Sequence, residues 1–215
     1  MKKPRVAING FGRIGKIAFR ANLVSDLVDI VAINDPGDLE QHKIMLQYDS
    51  AYGQLDATIE TKNGNLVVNG KEIKFTQLRN PEELPWKELE IDLVLECTGF
   101  FTEKEGASKH LKAGAKRVLI SAPSKDADAT LCMGINHQTF NPETDLIVSN
   151  ASCTTNCLAP LVKVLNDEFG IVQGFMTTIH SYTNDQKLND ASHEKDVRRA
   201  RAANLSMIPT STGAA

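Results

Sequence analysis

Cysteine and aromatic residues are scarce in this sequence. Four cysteines and one tryptophan are spread over 215 residues, and Phe, Trp and Tyr together make up 6%. Cys97, Cys132, Cys153 and Cys157 show no paired metal-ligand spacing, so no metal site is expected, and they are too sparse for a disulfide framework. No apolar run approaches the length needed to cross a bilayer. Met1-Lys2-Lys3-Pro4-Arg5 leads straight into Val6-Ala7-Ile8, without the hydrophobic stretch of a secretory signal. The expectation is a cytoplasmic protein with reduced thiols. Charge of one sign is also lacking: 24 Lys and Arg face 27 Asp and Glu, for a formal net charge of -3, which leaves no field for nucleic acid or a membrane surface. Internal repeats and low-complexity tracts are absent. The length suffices for one full domain and part of a second.

What is present is an alternation of short apolar runs and helical periods. Arg5–Asn9 reads as a buried strand, Arg13–Val24 as a helix, Val28–Asn34 as a strand and Leu39–Gln47 as a helix. This β-α-β-α order predicts parallel strands with helices on the faces. Residues 57–76 read as three short strands, 57–60, 66–69 and 72–76, broken by Asn63-Gly64 and Asn69-Gly70. Asn-Gly is a strong hairpin signal, because both turn residues accept positive φ. The α/β pattern then resumes with a strand at Asp92–Glu96, a helix at Thr102–Ala113 stopped by Gly114, and a strand at Arg117–Ile120. Short strands are expected at Thr130–Met133 and Leu146–Val148. A long helix is expected at Thr154–Phe169, closed by Gly170, with Pro160 inside it as a kink site. Ile171–His180 reads as a long strand. From Ser181 onward the apolar period fades, and a structureless stretch of that length points to function or to a partner.

Gly10-Phe11-Gly12-Arg13-Ile14-Gly15 matches G-x-G-x-x-G after a strand and at the start of a helix. Gly10 permits the tight turn, Gly12 lets backbone approach a pyrophosphate, and Gly15 lets helix and strand pack. Glycine-rich turns are common, so the motif alone is weak. Asp35 strengthens it. It closes the second strand about twenty residues on, where an acid can accept hydrogen bonds from both ribose hydroxyls and repel a 2′-phosphate. Its bland reading is a turn residue before Pro36.

Ser149–Cys157 joins a strand to the long helix and sets Cys153 at the helix N-terminus, where the dipole and free N–H groups favour a thiolate. Ser152 and Thr154 add hydroxyls that could bind an oxyanion or a phosphate. The bland reading makes Cys153 a small buried hydrophobe and Ser152 a cap; Cys157, one turn on, reads as a packed core thiol. A nucleophilic cysteine needs a base. Of the five histidines, His42 and His110 read as surface or satisfied residues, His137 precedes a turn and His193 lies among charges. His180, ending a strand, is the candidate, although spacing alone leaves its role open.

At this point the chain resembles one family throughout its length. Asn9–Gly15, Ala151-Ser152-Cys153-Thr154-Thr155-Asn156-Cys157, His180–Gln186 and Pro209–Ala215 are similar to segments of phosphorylating glyceraldehyde-3-phosphate dehydrogenases, in the same order. The resemblance implies a Rossmann-type doubly wound parallel sheet over residues 1–151, followed by an incomplete α+β catalytic domain over 152–215. It implies that Cys153 attacks the aldehyde of glyceraldehyde 3-phosphate, that His180 moves the protons, and that inorganic phosphate releases 1,3-bisphosphoglycerate from a thioester. Ser152, Thr154, Thr212 and Gly213 correspond to the site of the attacking phosphate. Thr183 and Asp185 correspond to that of the substrate's phosphate, and Arg199 to a phosphate-binding arginine, with Arg198 as the competing choice. Arg13, Ile14, Arg79, Thr98, Gly99 and Ser121 correspond to positions lining the cofactor. NAD is the expected cofactor. Asp190-Ala191-Ser192 departs from the strictly NAD-dependent pattern and leaves room for NADP. A homotetramer is implied for the complete protein, the loop after Ser181 meeting a neighbour's cofactor. The family extends beyond Ala215, which leads to the expectation that the isolated piece is poorly stable and little active. Erythrose 4-phosphate as substrate, or a fragment that only binds dinucleotide, are the alternatives. A cysteine hydrolase would leave the glycine turn and Asp35 without a role.

Overall fold

A computed structural model describes residues 2–214. Met1 and Ala215, which end the two expected domains, lie outside the described residues. The chain divides into two units, Met1–Ala151 and Ser152–Ala215.

The first unit is built on eleven strands: β1 (Arg5–Asn9), β2 (Asp29–Asn34), β3 (Tyr48–Asp49), β4 (Gly53–Gln54), β5 (Ile59–Lys62), β6 (Asn65–Val68), β7 (Lys71–Thr76), β8 (Leu93–Glu96), β9 (Arg117–Ile120), β10 (Ala129–Thr130) and β11 (Ile147–Ser149). Nine of them form one sheet in the order β10-β11-β9-β8-β1-β2-β7-β6-β5, and β3 pairs with β4 apart from it. From β10 to β7 every pairing is parallel. β6 and β5 add an antiparallel edge. The turns of that edge are the two Asn-Gly pairs, with φ of +50° and +73° at Asn63-Gly64 and +50° and +79° at Asn69-Gly70.

Three helices cover this unit: α1 (Arg13–Ser25), α2 (Leu39–Gln47) and α3 (Lys104–Lys112). β1 is buried from Val6 to Asn9 because it is covered on both faces. Val6 and Ile8 pack into a core with Phe11, Phe19, Ile33 and Leu46, while Ala7 packs into another with Leu84, Trp86, Ile91 and Val94. The chain progresses from β1 through β2 to β7 in one direction and from β8 through β9 to β11 in the other. The order therefore reverses between β1 and β8, and open α/β sheets bind ligands outside the carboxyl ends of strands at such a point.

Polar side chains tie these carboxyl ends together. Thr76 donates to Asn34 Oδ1 (2.9 Å), Asn34 Nδ2 to Asn9 Oδ1 (2.7 Å), and Asn9 Nδ2 to Glu96 Oε2 (2.6 Å). Glu96, 1% exposed, also accepts from His110 Nε2 (2.9 Å), from the Thr98 N–H (2.8 Å) and from the Thr98 hydroxyl. The indole N–H of Trp86 can only donate, so His110 Nδ1 accepts it at 3.0 Å and the ring proton sits on Nε2, facing Glu96.

The second unit contains α4 (Cys153–Phe169). Ser152 caps it, its Oγ accepting the Thr155 N–H at 2.9 Å, and Gly170 closes it at φ +72°. The helix runs through Pro160 as one element. No described residue of this unit is buried.

Two expectations are corrected here. Ile171–His180 is not a strand: its backbone has no ladder partner, and Val172, Phe175 and Ile179 are open to solvent. Residue types can suit a strand, but a strand exists only against a neighbour that takes up its N–H and C=O groups. Cys157 is exposed rather than packed in a core. Smaller differences are boundaries: Ala129–Thr130 and Ile147–Ser149 replace 130–133 and 146–148, and α3 starts at Lys104. His42 and His110 are both buried and hydrogen-bonded, so of the two readings offered for them the satisfied one applies.

Four donors converge on the Glu96 carboxylate. Glu96→Gln would turn an amide N–H₂ toward two of them, so it should destabilise the first unit by about 2–4 kcal/mol, read as a lower urea midpoint. In hydrogen exchange, the amides of β1, β2 and β8 should be the slowest and those of 172–180, which belong to no ladder, should exchange at near-random-coil rates.

Candidate active site

In the first unit, the glycine turn is shaped by what each residue meets. Gly10 has φ +91°, and a Cβ there would sit 2.6 Å from the Thr98 nitrogen, so the loops after β1 and β8 touch backbone to backbone. A Cβ on Gly15 would strike the Gly10 carbonyl oxygen, which is how α1 starts so close to the turn. Gly12 has nothing within 4 Å of its Cβ position. As N-cap of α1 it provides no side-chain cap, and the first turn carries no acid. The free N–H groups of that turn and their dipole are thus left for an anion.

A cavity of about 570 Å³ opens beside this turn, lined by Gly10, Gly12, Asp35, Arg79 and Thr98 of the expected residues, and by Asn9, Asn34, Pro36, Leu78, Cys97, Phe100 and Phe101. Sequence reading missed this second group. Asn9 and Asn34 close β1 and β2 directly before Gly10 and Asp35, a position that could have flagged them; the apolar lining carries no local signal. Arg13, Ile14, Gly15, Gly99 and Ser121 do not line the cavity. Arg13 is ion-paired with Asp49, Ile14 is exposed, and Gly99 turns at φ +74°. The Ser121 hydroxyl bonds to Cys97.

Asp35 is half-buried and heavily bonded. Its Oδ2 accepts the Phe11 N–H (2.7 Å), and its Oδ1 accepts the Gly37 N–H (2.8 Å) and faces His42 Nε2 at 3.0 Å. Burial works to raise its pKa, but the bonds from His42, Gly37 and Phe11 outweigh it and hold the carboxyl at about 2. With about two lone pairs per oxygen, Oδ1 is filled and Oδ2 keeps one. By that count one acceptor position on the carboxylate remains open.

In the second unit, Cys153 Sγ lies 3.2 Å from His180 Nε2. The His180 Nδ1 is 2.6 Å from the Ser181 carbonyl oxygen. A carbonyl only accepts, so Nδ1 carries a proton and Nε2 is the nitrogen that exchanges one with sulfur. Partial burial would raise the Cys153 pKa, yet the hydrogen bonds from His180 and from the Thr154 hydroxyl and N–H, with the His180 charge, bring it below the ordinary thiol value. The bond to Ser181, then the contact with Cys153, raise that of His180. Both shifts favour a thiolate–imidazolium pair. Cys97 is the contrast: burial pushes its thiol up to about 11 despite the Ser121 bond.

Ser152 Oγ is engaged in capping and lies 2.7 Å from the Thr155 hydroxyl. Thr183 and Asp185 share a turn with Gln186. Arg199 Nη1 donates to Asp185 Oδ2 at 2.8 Å, while its Nη2 reaches Ser211 Oγ at 3.4 Å and its buried Nε has no partner. Arg198 pairs with Asp196 instead. Thr212 Oγ1 accepts the Ala214 N–H within its own turn, which also holds Gly213. His180 lines a cavity of about 480 Å³ with Tyr182, Gln186, Met207 and Pro209. Among the described residues no cluster of side chains could hold a metal ion.

Residues 4–104 match the family model for the glyceraldehyde 3-phosphate dehydrogenase NAD binding domain, and residues 152–215 match that for the glyceraldehyde 3-phosphate dehydrogenase C-terminal domain. The chain is 56% identical over 211 residues to glyceraldehyde-3-phosphate dehydrogenase of Geobacillus stearothermophilus, 56% over 214 residues to glyceraldehyde-3-phosphate dehydrogenase 2 of a Nostoc species, and 54% over 211 residues to glyceraldehyde-3-phosphate dehydrogenase 1 of Bacillus subtilis. Each alignment covers 98% of this chain and 63% of the relative, so the chain spans less than two thirds of the length of these curated relatives.

Iodoacetamide should therefore modify Cys153 well ahead of Cys97. His180→Asn removes the imidazolium that favours the thiolate, so the alkylation profile of Cys153 should move to higher pH and its rate at neutral pH should fall several-fold. Mass spectrometry of the labelled peptides across a pH series reads both.

Proposed function

Because the chain belongs to the glyceraldehyde-3-phosphate dehydrogenase family, we propose that it oxidises glyceraldehyde 3-phosphate to 1,3-bisphosphoglycerate with NAD and inorganic phosphate. The observation that carries this reading is the 3.2 Å contact between Cys153 and His180, with the tautomer that leaves Nε2 facing sulfur. Residues 1–151 are assigned the cofactor and residues 152–215 the covalent chemistry.

The open space at Gly12, the uncapped start of α1 and the ionised Asp35 fit a dinucleotide: N–H groups for the pyrophosphate, a carboxylate for a ribose hydroxyl. Bound NAD supplies a hydride acceptor. Cys153 contributes the nucleophile, its sulfur adding to the aldehyde carbon while the His180 Nε2 proton passes to the aldehyde oxygen. His180 Nε2 takes the hydroxyl proton of the resulting hemithioacetal as the hydride departs, which leaves a thioester on Cys153. Attack of a phosphate oxygen on that thioester forms the acyl phosphate and returns the thiolate. Ser152, Thr154, Thr212 and Gly213 are proposed to hold the attacking phosphate, and Thr183, Asp185 and Arg199 the substrate's phosphate. The unpartnered Arg199 Nε supports an anion there. NAD is the first cofactor, with room for NADP left by Asp190-Ala191-Ser192.

A homotetramer is proposed for the complete protein, in keeping with apolar side chains on α4, such as Leu161 and Val164, left open to solvent. The scarcity of cysteine supports a reducing, cytoplasmic setting, and no helix among the described residues is long and apolar enough to cross a membrane. A second reading, dinucleotide binding without turnover, is favoured by one observation: the first unit has a built core and no described residue of the second is buried.

With glyceraldehyde 3-phosphate, NAD and phosphate, the chain should form NADH and an acyl adduct on Cys153, visible by intact-mass spectrometry. Cys153→Ser should lower product formation about a thousandfold or more and leave NAD affinity unchanged. Product at the wild-type rate from that variant would sink the mechanism; NAD binding with no adduct in the wild type would select the second reading.

A further inference from the structure

Lys16, one residue beyond the glycine turn, is only 5% exposed. Its Nζ donates to the Phe11 carbonyl and lies 2.8 Å from His42 Nδ1, with the Phe11 ring centroid 4.7 Å away. His42 is itself buried between the Phe11 and Phe75 rings, with centroids 5.8 Å from each. An ammonium can only donate, so Nδ1 accepts and the imidazole proton sits on Nε2, where it is donated to Asp35 Oδ1 at 3.0 Å. Burial brings the Lys16 pKa down, against the pull of Asp35 and with some help from Arg13, to about 8, which keeps the charged form in the majority at neutral pH.

We propose that Lys16 and His42 are a positioning pair that makes Asp35 a selector of NAD over NADP. This rests on the dinucleotide reading above. The pair acts through orientation. His42 and the Gly37 N–H fill Oδ1, which turns the carboxylate about its axis until the one vacant acceptor position is on Oδ2. A ribose hydroxyl is accepted there and a phosphate on the same carbon meets a fixed negative charge. Gly37 is part of the device: a Cβ at that position would fall 2.6 Å from His42 Nε2 and 3.0 Å from Asp35 Oδ1, so the loop reaches the imidazole–carboxylate contact only as glycine. Released from His42, Asp35 is free to rotate away, and Arg79, exposed on the wall of the same cavity, is the cation available to a 2′-phosphate.

The test is the ratio of NADP to NAD dissociation constants, measured by calorimetry on the 215-residue chain. His42→Leu keeps an apolar body between the two phenyl rings and loses both hydrogen bonds. It should weaken NAD about tenfold, in line with the loss of one charge-assisted bond, while NADP is held or gains, so the ratio falls about tenfold. His42→Gln offers an oxygen to Lys16 and an N–H₂ to Asp35 and should stay within about threefold of the wild type. Lys16→Met and Gly37→Ala, which disturb the pair from its other two sides, should each lower the ratio. A ratio unchanged in His42→Leu overturns the proposal, whether both affinities are kept or both fall together with the melting temperature; the latter marks a purely structural role. Loss of selectivity in His42→Gln equal to that in His42→Leu also overturns it. A wild type that binds neither nucleotide removes the dinucleotide reading itself.

Discussion

A buried carboxylate with four donors fixes the part of the first unit where ligands meet the sheet. Glu96 ends β8, and its oxygens take bonds from Asn9 on β1, from His110 on α3, and from the backbone and hydroxyl of Thr98. Asn9 in turn receives Asn34 from β2, and Asn34 receives Thr76 from β7. Each bond is worth little alone, but an unmet donor in a dry interior costs far more, so the set stands or falls together. Four neighbouring strands are thereby held level at their carboxyl ends. The Gly10 turn rests against Thr98, with no room for a Cβ between them, and the crevice between the diverging halves of the sheet follows.

The same physics sorts the cysteines. Cys97 and Cys153 are chemically identical, yet burial raises one to about 11 while hydrogen bonds and charge lower the other. What differs is position: Cys97 packs against the core of the first unit on the wall of its cavity, and Cys153 opens α4 next to an imidazole whose other nitrogen is engaged by its own chain. A nucleophile and a base are obtained without a metal-type cluster among the described residues.

Much of this was legible in the residues. The strands 5–9 and 117–120 and the helix 39–47 carry their bounds in local pattern, as do both Asn-Gly turns, because periodicity and turn chemistry are properties of a few adjacent residues. Cys153 at a helix start was readable for the same reason. Ile171–His180 was misread because its β-branched and aromatic residues suit a strand and say nothing about whether a partner strand is there to bond them. Cys157 was misread because burial belongs to the surroundings of a helix face, and the face of α4 is uncovered.

The order of residues by itself determined the main helices and strands of the first unit, the glycine turn, the acid after β2 and the thiol at the helix N-terminus, since each depends on neighbours within a turn or two of the chain. Tertiary structure alone decided which lone pair of Asp35 stays vacant, which nitrogen of His180 faces sulfur, and that Lys16 and His42 stand behind the acid. Those are matters of hydrogen-bond direction between groups brought together by folding, and direction is defined only once both partners occupy fixed positions in space.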